Sequence, residues 1–108
     1  MRFSDLGLQT QLLAILDELG YQAPTPIQQA AIPEVLAGRD VLAGAQTGTG
    51  KTAAFALPLI QRYLADEGTS KAIHVLVLTP TRELAQQVHQ SFVAYSQGTG
   101  LRSVVAYG

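Results

Sequence analysis

Residues 45 to 52 read AQTGTGKT and stand between a brief apolar run, DVLAGA (residues 40 to 45), and a segment with helical spacing. Gly48 and Gly50 let the backbone curl so that successive N–H groups point at one place with no Cβ in the way. A helix beginning near Lys51 adds the positive end of its dipole, and such a cradle takes a phosphate. Lys51 can reach the β- and γ-phosphates of a nucleoside triphosphate, and the Thr52 hydroxyl can bind Mg²⁺. Ala45 stands where the pattern is usually written with its first glycine, a place where a small residue still fits. The plain alternative is a Gly-rich turn with an accidental Lys–Thr behind it. The strand before the loop and the helix after it argue for the phosphate site.

The rest of the chain repeats this alternation. TQLLAILDEL places Leu12, Leu13, Leu16 and Leu19 with Ile15 on one helical stripe, and Gly20 follows as a C-terminal stop. Residues 26 to 36 read as a second helix ended by Gly38, with Pro33 expected to kink or shorten it. A third helix runs from Lys51 to about Tyr63, with Pro58 an awkward member. IHVLVLT (residues 73 to 79) is rich in β-branched residues and almost wholly apolar, as strands covered on both faces tend to be. Residues 81 to 97 give a further helix with Leu84, Val88, Phe92 and Tyr95 along its core face, and RSVVAY is a short strand candidate. Strand and helix in turn predict an α/β fold with a parallel sheet flanked by helices.

Composition sets wider limits. The 108 residues suit one small domain, and 47% apolar with 14% charged residues is enough to bury a core. A net charge of −1 leaves no basic bulk, so any nucleic-acid partner must be argued from a local site. Absence of cysteine removes disulfides and thiolate metal sites. His74 and His89 have no carboxylate, cysteine or second histidine at ligand spacing. MRFSDLGLQT is no signal peptide and no apolar stretch is long enough to span a membrane, so a soluble, cytoplasmic protein is expected.

GYQAPTPIQ (residues 20 to 28) admits two readings. Thr25 is a good N-cap, Pro26 suits the first helical position, and Gln28 can complete a capping box. Alternatively Gln28 reads a ligand, with Tyr21 as a flat surface beside it. The order of GYQAPTPIQ, AQTGTGKT and PTRELA (residues 80 to 85) resembles the Q motif, motif I and motif Ia of DEAD-box ATP-dependent RNA helicases. Phe3 stands where that family keeps an isolated upstream aromatic. The string AQTGTGKTAAFALPLIQ is similar to the bacterial RhlE-type group.

That resemblance implies a RecA-like P-loop NTPase fold and a role for each matching residue. Gln28 would hydrogen-bond the adenine edge of ATP, since an amide offers a donor and an acceptor together. Tyr21 would lie against the base, Phe3 would support the pocket, and Thr25 would help hold the loop against the phosphate loop. Gln46, Thr47, Gly48, Thr49, Gly50, Lys51 and Thr52 would cradle the phosphates, with Lys51 and Thr52 in the catalytic set and the Thr52 hydroxyl on Mg²⁺. Pro80, Thr81, Arg82 and Glu83 would meet RNA through its backbone, with little sequence specificity. For these last residues a solvated first helical turn is the competing explanation.

The resemblance also implies what to expect of the chain by itself. The family's DEAD carboxylates, Ser–Ala–Thr motif, arginine finger and second RecA-like domain have no match here. The chain would be the N-terminal portion of the first domain. It is expected to be inactive without the downstream helicase domain, to expose apolar surface, and to have low stability. Two alternatives stay open on the residues: a different phosphate-loop enzyme of kinase or GTPase type, and a non-catalytic nucleotide-binding module.

Overall fold

The computed structural model describes residues 1–39, 51–65 and 76–106. A single turn of 3-10 helix, Phe3–Leu6, leads into α1 (Thr10–Glu18), α2 (Pro26–Leu36), α3 (Lys51–Ala65) and α4 (Arg82–Tyr95). α1, α3 and α4 each follow an apolar stripe in the sequence, whereas α2 buries Gln28 beside Ala31 and Ile32. In α1 that stripe is Leu12, Ile15 and Leu16, all buried, while Leu13 is only half-covered. Leu19, expected on the same face, is 42% exposed. It is the C-cap, and beyond it Gly20 takes a φ of +83°, so the chain leaves the helical path before Leu19 can reach the core.

Two glycines end their helices in the same way. At the end of α1 the Gly20 N–H donates to the Asp17 carbonyl and the Tyr21 N–H to the Leu16 carbonyl. At the end of α2 the Gly38 N–H donates to Val35 and the Arg39 N–H to Glu34. This crossed pair is the Schellman arrangement, which needs a left-handed residue and so favours glycine. Neither internal proline ends its helix. α2 runs through Pro33 to Leu36, and α3 runs through a buried Pro58 to Ala65.

Packing centres on α3. α2 lies along it, α4 also packs on it, and α1 touches α4 while the 3-10 helix touches α2. Ile32, Leu57, Ile60 and Leu12 are fully enclosed, and Phe3, Leu16, Val88, Phe92 and Tyr95 complete the core around them. Burying a side chain of this size contributes about 1.5–3 kcal/mol.

The predicted sheet is not present among the described residues. Residues 76–79 and 101–106 form no strand. A strand is defined by hydrogen bonds to a neighbour, and these two segments have no ladder partner among the described residues. The run at residues 40–45 and the beginning of IHVLVLT, His74 included, lie outside them. Leu76, Leu78 and Val104 are strongly exposed, and Val77 packs on the core.

Candidate functional site

The segment between α1 and α2 is held at both ends by its own backbone. Tyr21 is anchored through its N–H to α1, and on the far side Thr25 caps α2. The Thr25 hydroxyl accepts the Gln28 N–H at 3.4 Å, and the Gln28 Oε1 accepts the Thr25 N–H at 2.9 Å. Gln29 adds a bond from its Nε2 to the Pro24 carbonyl at 3.1 Å. The capping box read from the sequence is therefore made. Gln28, which completes the box, is itself buried, only 2% exposed.

Tyr21 remains 38% exposed. Its ring lies 6.3 Å from that of buried Phe3 and 6.0 Å from that of Tyr95, the latter edge-on at 80°. The hydroxyls of Tyr21 and Tyr95 share a hydrogen bond of 2.6 Å. Burial, and then this bond, push the Tyr95 hydroxyl well above the usual tyrosine pKa. Phe3 and Tyr21 are thus brought together. Tyr95, read from the sequence only as a core residue, was missed as a partner. Its one signal was chemical: a tyrosine on a core face must find a partner for its hydroxyl.

Lys51 and Thr52 open α3, Lys51 exposed and Thr52 half-buried, where the first-turn N–H groups and the dipole favour an anion. Gln46, Thr47, Gly48, Thr49 and Gly50 lie outside the described residues. Because α2 packs along α3, the helix carrying Gln28 and the helix carrying Lys51 form one body.

At α4 the helix begins one residue later than the spacing suggests. Thr81 is its N-cap, with the hydroxyl accepting the Leu84 N–H at 3.1 Å, and the Thr79 hydroxyl donates to the Thr81 carbonyl at 3.0 Å. Thr81 has an extended backbone, φ −135° and ψ 158°, because a cap residue must turn its side chain back over the first turn. The helix also ends earlier, at Tyr95, with Ser96 as its C-cap. Pro80, Thr81, Arg82 and Glu83 are all exposed, and Glu83 sits in the first turn, where a carboxylate complements the dipole.

The sequence pattern described as DEAD/DEAH box helicase matches residues 25–108. The chain belongs to the DEAD/DEAH box helicase family. It is 50% identical over 106 residues to DEAD-box ATP-dependent RNA helicase 28 of Oryza sativa subsp. japonica, which covers 98% of this chain and 13% of that protein. It is also 50% identical over 107 residues to the ATP-dependent RNA helicase DeaD of Escherichia coli K12, covering 98% of this chain and 16% of that one. The chain therefore spans only a small part of the length of these relatives. Among solved structures, the RNA helicase Prp28 of Chaetomium thermophilum bound to ADP superposes with a TM-score of 0.90 at 40% identity, over 99% of this chain and 26% of that one. A hypothetical ATP-dependent RNA helicase from Sulfolobus tokodaii gives a TM-score of 0.75 at 31% identity, over 86% of this chain and 25% of that one. These neighbours are RecA-like helicase domains. Membership of the DEAD/DEAH box family sets aside a phosphate-loop enzyme of kinase or GTPase type.

Proposed function

We propose that this chain is the ATP-binding part of an ATP-dependent RNA helicase, the N-terminal portion of its first RecA-like domain. The whole protein would couple ATP hydrolysis to local opening of RNA duplexes in the cytoplasm and would need its downstream helicase domain to do so. The observation that carries this reading is the packing of α2 along α3. The capped Thr25–Gln28 turn heads α2, and Lys51 and Thr52 head the helix α2 lies against. ADP in the Prp28 relative supports the same class of ligand.

The donors present fit such a ligand. Lys51 offers an exposed ammonium at a helix N-terminus, and Thr52 a hydroxyl oxygen of the hard type that Mg²⁺ takes. Bound Mg²⁺ would neutralise phosphate charge. On the protein side, Gln46, Thr47, Gly48, Thr49 and Gly50 hold the phosphates with Lys51, and Thr25 steadies the loop beside them. Gln28 reads the adenine edge, Tyr21 lies against the base, and Phe3 backs Tyr21. Pro80, Thr81, Arg82 and Glu83 meet the RNA backbone, for which exposed polar groups at a helix start are suited. Residues 40–45, 73–79 and 102–107 would supply strands of a parallel sheet, and the subgroup would be the RhlE type.

Titration with ADP and with GDP, beside a Gln28→Ala variant, tests the reading. Both proteins are first shown to be folded by circular dichroism. Preference for ADP that disappears with Gln28→Ala supports a base reader. Equal binding of both nucleotides, with only stability altered by the substitution, would reduce GYQAPTPIQ to a helix cap.

A further inference from the structure

We propose that Tyr95 is a positioning residue for the nucleotide site, acting through the Tyr21 hydroxyl. The proposal rests on the reading that Tyr21 lies against the base. A stacking ring binds better if its position is fixed before the ligand arrives, because ordering a free side chain on binding opposes affinity. Tyr21 is fixed at three points. Its backbone N–H is tied to the Leu16 carbonyl at 2.9 Å by the closing turn of α1. Its ring is set against buried Phe3, with centroids 6.3 Å apart. Its hydroxyl, the far end of the side chain, is held at 2.6 Å by Tyr95, the last residue of α4. The first contact holds the backbone and the second lies against the ring, as does the edge of Tyr95. The hydrogen bond to Tyr95 acts on the atom farthest from the backbone, so it resists rotation about χ1, which would carry that atom and the whole ring away. Tyr95 is itself 5% exposed and edge-on to the Tyr21 ring, so the anchor stands in the rigid core while Tyr21 keeps 38% of its surface open.

Removing either hydroxyl breaks the same bond and leaves both rings in place, which gives the test its discrimination. ADP and inorganic pyrophosphate affinities are measured for the wild-type protein, Tyr95→Phe, Tyr21→Phe, the double Phe variant and Tyr21→Ala, with a thermal melt for each. Tyr95→Phe is expected to weaken ADP roughly three- to tenfold, as loss of one hydrogen bond does, and to leave pyrophosphate unchanged. Tyr21→Phe should match it, and the double variant should be no weaker than either single one. Equal weakening of ADP and pyrophosphate by Tyr95→Phe would indicate a merely structural tyrosine and overturn the proposal. Unchanged ADP affinity in Tyr95→Phe beside a loss in Tyr21→Ala would overturn it too, while the base-stacking reading stood. Unchanged ADP affinity in Tyr21→Ala would remove that reading, and the proposal with it.

Discussion

The side-chain amide of Gln61, on α3, donates from Nε2 to the Gly7 carbonyl at 2.7 Å and accepts the Gln9 N–H on Oε1 at 2.6 Å. One amide thus spans the turn that joins the 3-10 helix of Phe3 to α1 and ties it to the helix that Lys51 and Thr52 open. Gly7 itself has a φ of +93°, a left-handed backbone that side-chain-bearing residues rarely adopt, so the turn depends on glycine there.

Gln61→Ala removes both bonds from a partly buried turn and is expected to destabilise the protein by about 1–2 kcal/mol. Urea unfolding should show a lower midpoint with an unchanged slope, since the surface exposed on unfolding does not change. Gln61→Glu keeps the acceptor for Gln9 but not the donor to Gly7 and should fall between the two.

Gln28 has a capping role and a proposed base-reading role, and one substitution separates them. Glutamate at this position can still accept the Thr25 N–H, but it offers no amide proton to a base. Gln28→Glu should keep the helical circular-dichroism signal and lose the preference for ADP over GDP. Gln28→Ala keeps the Thr25 cap but also loses the side-chain acceptor for the Thr25 N–H, and should be less stable by about 1 kcal/mol. Nucleotide preference retained in Gln28→Glu would count against base reading.

Arg82 stands exposed in the first turn of α4 beside the Thr81 cap. If it meets an RNA phosphate, Arg82→Ala should weaken binding of short single strands evenly across sequences. The slope of log affinity against log salt should fall by about 0.7–1. ADP affinity should be unchanged. Fluorescence anisotropy over a salt series measures all of this.

The Tyr95 hydroxyl carries an alkaline signature. Its pKa is raised in the folded state by burial and by the bond to Tyr21. Below the ordinary tyrosine pKa of about 10 both states hold the proton, and the contribution to stability is fully present. Above that value the unfolded chain releases the proton while the folded one keeps it, so stability falls as pH rises towards the folded pKa. Urea midpoints between about pH 8 and about pH 11 should fall more steeply for the wild type than for Tyr95→Phe.

Local signals were readable wherever the forces are local. Gly20 and Gly38 close their helices, Thr25 and Gln28 form a box across three residues, and the apolar stripe of α4 faces the core. The extent of α4 was read less well, because Thr81 can stand inside a helix or cap it, and only its backbone angles decide. Leu19 fits the α1 stripe by spacing but falls where the helix has already ended.

From the sequence alone came the helices, their caps, the phosphate-loop pattern and the family resemblance, all carried by residues a few positions apart. Tertiary structure decided the pairings that no spacing encodes. The Tyr21–Tyr95 bond joins residues 74 positions apart, and Gln61 reaches Gly7 across 54. A hydroxyl on a core stripe and an amide on a helix face each require some partner. Which partner they meet depends on how the helices pack, and packing is settled by the fit of the whole core.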